Sequence, residues 1–278
     1  MQTLTTEQVS SVTAYAAAIR KNVITMITEA NSGHPGGSLS ISDVVALLYD
    51  VEMNVSPTNP EDPDRDRLVL SKGHAAPAIY AALALKGFFP MEELMGLRKI
   101  NRMLQGHPDM KGTPGIDMST GSLGQGISAA CGMALAAKLD KKTYHIFAIM
   151  GDGEQEEGQV WEAAMFAAQY KLDNLIAFLD NNGLQIDGKI TDVMSPEPLP
   201  DKYRAFGWHV IEAVGHDVQS LHAAIEEAKI IKGQPSIIIM QTVKGKGVPQ
   251  MENQAGWHGK APSKEQCAEF LAELDGDK

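Results

Sequence analysis

Ile146-Phe147-Ala148-Ile149-Met150 runs without a polar residue into Gly151-Asp152-Gly153, and Leu175-Ile176-Ala177-Phe178-Leu179 runs in the same way into Asp180-Asn181-Asn182-Gly183. Short apolar runs of this kind, each closed by a glycine-containing turn, read as buried strands. Between them, Glu157 to Lys171 carries Val160, Trp161, Ala164, Met165 and Ala168 at helical spacing, which predicts an amphipathic helix. Strand, helix and strand make a βαβ unit, whose right-handed crossover brings both strand ends to one rim of a parallel sheet. Asp152 and Asn182, thirty positions apart (182 − 152), become neighbours on that rim.

A carboxylate, a side-chain amide oxygen and open backbone suit a hard divalent cation, which takes a few protein oxygens and completes its octahedron with phosphate and water oxygens. Magnesium carrying a diphosphate fits that description. Ligands of open α/β sheets also settle at the carboxyl ends of the strands. Singly, Gly-Asp-Gly and Asn-Asn-Gly each read as a plain turn. Together, closing two strands joined by one helix, they read as a site.

Gly151-Asp152-Gly153, then twenty-seven residues (154 to 180), then Asn181-Asn182 resembles the thiamine diphosphate fingerprint, and the surrounding sequence resembles the transketolase family. That resemblance implies thiamine diphosphate and Mg2+ as cofactors, with Ca2+ or Mn2+ as substitutes. It implies Asp152, Asn182 and the backbone carbonyl of Leu184 as metal ligands, with Gly151 and the Gly153 backbone at the diphosphate. Glu157 matches a family glutamate that links cofactor sites across a dimer. The resemblance covers nearly the whole chain, but only the N-terminal third or so of a full transketolase polypeptide.

The 278 residues suffice for a sizeable core, and one α/β domain spanning 1–278 is the expectation. Hydrophobic residues at 44% and charged residues at 21% are ordinary globular usage, which excludes disordered and fibrous classes. A net charge of −11 repels nucleic acid and anionic membrane, so neither is expected as a partner. Cys131 and Cys267 fit no metal spacing and read as free thiols of a reducing compartment. Met1 to Ser11 carries no basic-then-apolar leader, and no stretch approaches the ~18 apolar residues of a membrane span; a cytoplasmic protein is expected.

In chain order, Glu7 to Glu29 has helical periodicity. Ala30 to Gly37 is too glycine-rich to continue it, and a second helix is expected near Ile41 to Tyr49. Asn54 to Asp66 is a loop, Arg67 to Leu70 a short strand, and Pro77 to Leu85 a helix. The stretch Gly106 to Gly126 is irregular until about Leu123, where a small-residue helix begins and runs to Leu139. A helix start in a glycine loop offers free N–H groups to an anion or a ring nitrogen; the bland alternative is a surface loop in front of a tightly packed helix. Farther on, Tyr203 to Trp208 closes a short helix, followed by a strand at His209 to Val214, a helix at Val218 to Ile231, an unbroken β-branched strand at Pro235 to Met240, and a terminal helix near Lys264 to Leu274. Alternating strands and helices specify a doubly wound, mostly parallel sheet flanked by helices.

Four histidines stand in loops rather than in elements. On composition alone, His34 reads as a surface residue and His74 as incidental to a helix start. The glycine and lysine region Lys244 to Lys260 reads either as a solvated connection or as a lid over a phosphate-bearing ligand, with its lysines supplying charge. The family resemblance sharpens these readings. Ser32-Gly33-His34-Pro35-Gly36, Ser71-Lys72-Gly73-His74, His107 and Trp257-His258-Gly259 resemble transketolase segments bearing active-site histidines. Gly121-Ser122-Leu123-Gly124-Gln125-Gly126 resembles the loop that holds the cofactor's pyrimidine half. His34, His74, His107 and His258 are then the candidate catalytic groups, with His74, Gly121, Leu123 and His258 also at the cofactor. The chain departs from the family in Ser122, where proline is common, and in Trp257, where serine is common; the first loosens a loop and the second reshapes substrate access. His145, His209, His216 and His222 are read as structural.

The resemblance implies transfer of a two-carbon ketol unit from a ketose phosphate to an aldose acceptor. In the family, a glutamate from a second, pyrimidine-binding domain starts the chemistry, and no part of this chain matches that domain. A C-terminal transketolase subunit is therefore the expected partner, in a dimer of heterodimers. Two other readings stand beside this one: a subunit of a thiamine-dependent 2-oxoacid decarboxylase or dehydrogenase, and a non-catalytic cofactor-binding module. The histidine loops weigh against both.

Overall fold

The computed structural model describes residues 3–276. Its first element is fixed by a capping box: the Thr5 hydroxyl accepts from Gln8 N–H, and the Gln8 side chain accepts from Thr5 N–H. From there α1 (Thr6–Ala30) buries Val12, Ala16, Ile19, Val23 and Ile27 along one stripe. Two short helices follow, α2 (Pro35–Ser40) and α3 (Ser42–Leu47), and then β1 (Arg67–Leu70), α4 (Ala76–Lys86) and α5 (Gln125–Leu139). The central unit is β2 (Ile146–Gly151), α6 (Gly158–Gln169) and β3 (Leu175–Asn181). A two-stranded hairpin of β4 (Leu184–Gln185) and β5 (Gly188–Lys189) leads into α7 (Ile190–Val193) and α8 (Leu199–Ala205). The chain ends with β6 (His209–Val214), α9 (Val218–Ile230), β7 (Ser236–Gln241) and α10 (Lys264–Asp275).

Five strands form one sheet in the order β1-β2-β3-β7-β6, every pair parallel. Alternate side chains of each strand enter different cores. Leu68, Phe147, Ile149, Ile176, Phe178 and Ile238 face one core, with residues of α1, α3, α4 and α9. Val69, Ile146, Ala148, Met150, Ala177 and Ile239 face the other, against α5, α6 and α8. Helices on both faces explain why the strands read as continuous apolar runs. The register aligns the strand ends, with Gly151 opposite Asp180 and Asn181 opposite Gln241. Among the described residues, no helix is long and apolar enough to cross a membrane.

Two local expectations need correction. Pro35-Gly36-Gly37 is helical, with Pro35 in the first turn, where its missing N–H costs nothing. Tertiary packing overrides the poor helix propensity of glycine there: a Cβ on Gly36 would lie 3.0 Å from the Trp257 carbonyl oxygen, close enough to push on that backbone. Over 41–49 the expected helix is α3 alone, Ser42–Leu47, after which the chain passes into a π-helical turn at Leu48–Glu52. The short helix closed by the segment from Tyr203 is α8, Leu199–Ala205, and Trp208 beyond its end packs on Tyr203. The β4–β5 hairpin is too short to have a readable period.

Candidate active site

Four strand ends meet beneath one pocket of about 230 Å³, and each contributes residues at or just beyond its last paired positions. β1 leads to Lys72 and His74, β2 to Gly151 and Asp152, β3 to Asp180 and Asn182, and β7 to Lys244. The loop before α2 adds His34, the loop before α5 adds Gly121 and Leu123, and the loop before α10 adds His258.

Asp152 is 2% exposed. Its carboxylate accepts from Gly153 N–H at 2.8 Å and from Gly183 N–H, so it holds the β3 turn against the β2 turn. Burial, followed by the nearby Asp180 charge, pushes its pKa up to about 6. Asn182 donates through Nδ2 to Asp180 at 2.8 Å, while its Oδ1 accepts from Leu184 N–H at 3.1 Å. The Leu184 carbonyl accepts from the Lys244 ammonium at 2.9 Å. The chemistry of this donor set fits Mg2+: a buried carboxylate still in need of a countercharge, a carboxamide oxygen and a backbone carbonyl, all hard oxygens on one wall. The backbone fits a diphosphate as well, since a Cβ on Gly153 would lie 3.2 Å from Gln185 Cβ and narrow the turn beside Asp152.

Beneath that wall, Asp180 is fully buried and accepts from Lys72 Nζ at 2.5 Å, Ser40 Oγ at 2.6 Å and Thr242 Oγ1. Burial alone would raise its pKa, but the Lys72 charge and these hydrogen bonds outweigh burial and hold it below the usual carboxylate range. Lys72 also donates to the Gly37 carbonyl at 2.9 Å, which ties α2 to the floor. Lys244 is buried too, and burial with the Lys72 charge lowers its pKa to about 8. Glu154 joins three loops: one carboxylate oxygen accepts from Ser71 Oγ and Gly124 N–H, the other from Gly151 N–H.

The histidines cluster on the opposite side. Ring centroids are 5.2 Å apart for His34 and His74, 5.1 Å for His74 and His258, and 5.4 Å for His34 and His258. Burial is the first cause depressing each pKa, to about 4 in His34, to about 3 in His258 and well below the ordinary value in His74; neighbouring cations add to it. All three are neutral imidazoles near pH 7, able to donate and accept. His107 is exposed at the rim, 6.5 Å from His34, with Gly121 packed on its ring, and it does not line the pocket. Glu157 is likewise outside the pocket, exposed at the start of α6 with its Cβ against Gly124.

Similarity to known proteins agrees with this arrangement. Residues 11–275 match the family model described as "Transketolase, thiamine diphosphate binding domain". This chain belongs to the transketolase family. A protein of Clostridium sp. (strain MSTE9), "6-deoxy-6-sulfo-D-fructose transketolase subunit SqwG", is 52% identical over 260 residues, covering 94% of each chain. An apulose-4-phosphate transketolase subunit of Phocaeicola vulgatus is 42% identical, covering 96% of this chain and 95% of that one. Among solved structures, transketolase from Leishmania mexicana superposes with a TM-score of 0.89 at 33% identity, over 95% of this chain and 41% of its own. This chain thus spans about two fifths of that transketolase.

Lys72, Asp180 and Glu154 have no role assigned by sequence reasoning, and Lys244 enters it only among the lysines that would charge a lid. Lys72 and Lys244 stand in recognisable motifs, but nothing in a sequence marks a lysine as buried, and burial is what makes these two notable. The histidines read as structural do pair with carboxylates: His209 with Glu227, His216 with Asp43 and His222 with Glu52. Glu52, His222 and Glu226 gather metal-type ligands away from the pocket, but the Lys229 ammonium, 2.6 Å from Glu52 and 3.0 Å from Glu226, already supplies the cation.

Proposed function

We propose that this chain is the metal- and diphosphate-binding subunit of a two-chain transketolase that moves a two-carbon ketol unit from an anionic ketose to an aldose acceptor. The observation that carries the reading is the convergence in one pocket of three oxygen donors, Asp152, Asn182 and the Leu184 carbonyl, with three neutral histidines, His34, His74 and His258. When bound, thiamine diphosphate supplies the nucleophilic carbon and the electron sink. The chain's residues then divide the remaining work. Asp152, Asn182 and Leu184 hold Mg2+, and Gly151, Gly153 and the loop at Gly121 to Leu123 receive the cofactor. His34, His74 and His258 orient the sugar's hydroxyl and carbonyl oxygens and relay protons between them. His107 guards the rim. Glu157 meets another protomer in this reading, which its exposure at the start of α6 supports.

The two cores share one sheet, which supports reading the chain as one domain; positions 1–2 and 277–278 of the expected span lie outside the described residues. Relatives of matching length are named as subunits, which supports a separate C-terminal partner carrying the pyrimidine-binding domain, in a dimer of heterodimers. Of the two relatives, the one named for a sulfonated ketose is the more similar, which favours a sulfonate or phosphate at the far end of the donor.

Calorimetric titration with thiamine diphosphate tests the binding half of this proposal. One Mg2+-dependent site per chain is expected, abolished by chelation and by Asp152→Asn. Binding that is indifferent to both would refute the metal assignment.

A further inference from the structure

Arg98 has no part in the site as described, yet it touches two of the histidine loops. It follows the helical turn Met91–Gly96 and has a left-handed backbone with φ 59°, secured by its N–H to the Leu104 carbonyl at 2.8 Å. Its guanidinium reaches outward from there. Nη1 donates to Ser32 Oγ at 3.2 Å, while Nη2 lies 3.3 Å from the Gly106 carbonyl and 3.3 Å from His34 Nδ1. Gly106 leaves the room for this approach, since a Cβ there would lie 3.0 Å from Arg98 Cζ. The side chain therefore spans from the loop bearing His34 to the loop bearing His107.

A guanidinium offers only donors and keeps its charge throughout the pH range of a folded protein. The imidazole nitrogen that faces it must present a lone pair. With Nδ1 so engaged, the single proton of a neutral His34 resides on Nε2, and the adjacent cation opposes a second proton. We propose that Arg98 is a positioning residue that fixes His34 as the Nε2–H tautomer, so that His34 meets the substrate as a hydrogen-bond donor. The Nε2 edge lies toward Gly259, where a Cβ would sit 3.6 Å away, in ordinary contact. A donor there suits a sugar hydroxyl or carbonyl oxygen. A chain that mixed both tautomers would turn a lone pair toward that oxygen in a fraction of molecules and lose the bond in those. Only the identity of the oxygen rests on the transketolase reading; the tautomer is a property of the chain itself.

The test is long-range 1H–15N correlation NMR of the full chain labelled with 15N in its histidines, in wild type, Arg98→Met and Arg98→Lys. Near neutral pH, wild-type His34 is expected to show a protonated Nε2 and an unprotonated Nδ1. In Arg98→Met the two nitrogen shifts move toward each other as the second tautomer fills, while His258 is unchanged, which separates the effect from general disruption. Arg98→Lys, which retains a cationic donor, keeps the wild-type pattern. A wild-type His34 protonated on Nδ1, or a pattern unmoved by Arg98→Met, overturns the proposal. In the assembled enzyme, Arg98→Met should lower kcat/KM by about tenfold, the worth of one hydrogen bond. Absence of any transketolase turnover would strike the functional reading and leave the NMR result standing.

Discussion

The ammonium of Lys72 lies 2.5 Å from Asp180 Oδ2, with 2% and 0% of the two side chains exposed, and this pair forms the floor beneath the wall of Asp152, Asn182 and Leu184. Asp180 in turn holds Asn182, and its charge raises the pKa of Asp152. Lys72→Met leaves a buried carboxylate uncompensated. The expected loss is about 3–5 kcal/mol, read as a lowered thermal midpoint. Adding Asp180→Asn to Lys72→Met should recover part of that loss; a double variant less stable than the single would contradict the ion-pair account.

Asp152 predicts a pH dependence of metal binding. Its folded-state pKa, about 6, lies above the ordinary carboxylate value, so the metal-free fold favours the protonated acid. This group's contribution to metal-free stability is therefore fully present below the unfolded pKa and is lost as pH rises through about 6. Metal binding requires the ionised form, so Mg2+ affinity should rise with pH up to about 6 and level off above it. Calorimetry across that range checks the sign; affinity that is flat through the transition would exclude Asp152 as a ligand.

Glu154→Gln probes the link between three loops. Ser71, Gly124 and Gly151 all donate to the carboxylate, and a glutamine must turn its own NH2 toward at least one of these donors. A loss of about 1–3 kcal/mol is expected, together with weaker cofactor binding, since Gly151 and the loop before α5 are both released. Unfolding curves and cofactor titration of the same sample measure the two effects.

His258→Ala separates chemistry from binding. His258 borders the pocket and accepts through Nδ1 from Lys244 at 3.0 Å. Its removal should reduce transfer by about 10²–10⁴-fold, the range for a positioned proton-transfer group, while changing cofactor affinity little. Equal losses in kcat and in cofactor affinity would assign it to binding alone.

The sheet and the pocket's position were legible because burial of both faces writes unbroken apolar runs into β2, β3 and β7, and each strand end carries a turn. Asp152 and Asn182 could be brought together by the geometry of one βαβ unit. Lys72 and Asp180 could not, because they are 108 residues apart and no periodicity links them. The helix α2 was hidden for another reason: Gly36 and Gly37 look like breakers, and only the packing of Trp257 and Lys244 against Gly36 shows what a glycine inside that helix accommodates. Most individual histidine roles rested on family resemblance, since a lone histidine in a glycine loop carries no chemistry of its own in the sequence.

The most direct test of the two-chain account is to purify this chain from its own cells with its companion and assay two-carbon transfer from a phosphorylated or sulfonated ketose, with thiamine diphosphate and Mg2+ present. The account expects transfer by an equimolar complex with a second chain, lost when the chains are separated and restored when they are recombined. Turnover by this chain alone, or a complex that binds the cofactor and transfers nothing to any aldose, would contradict it.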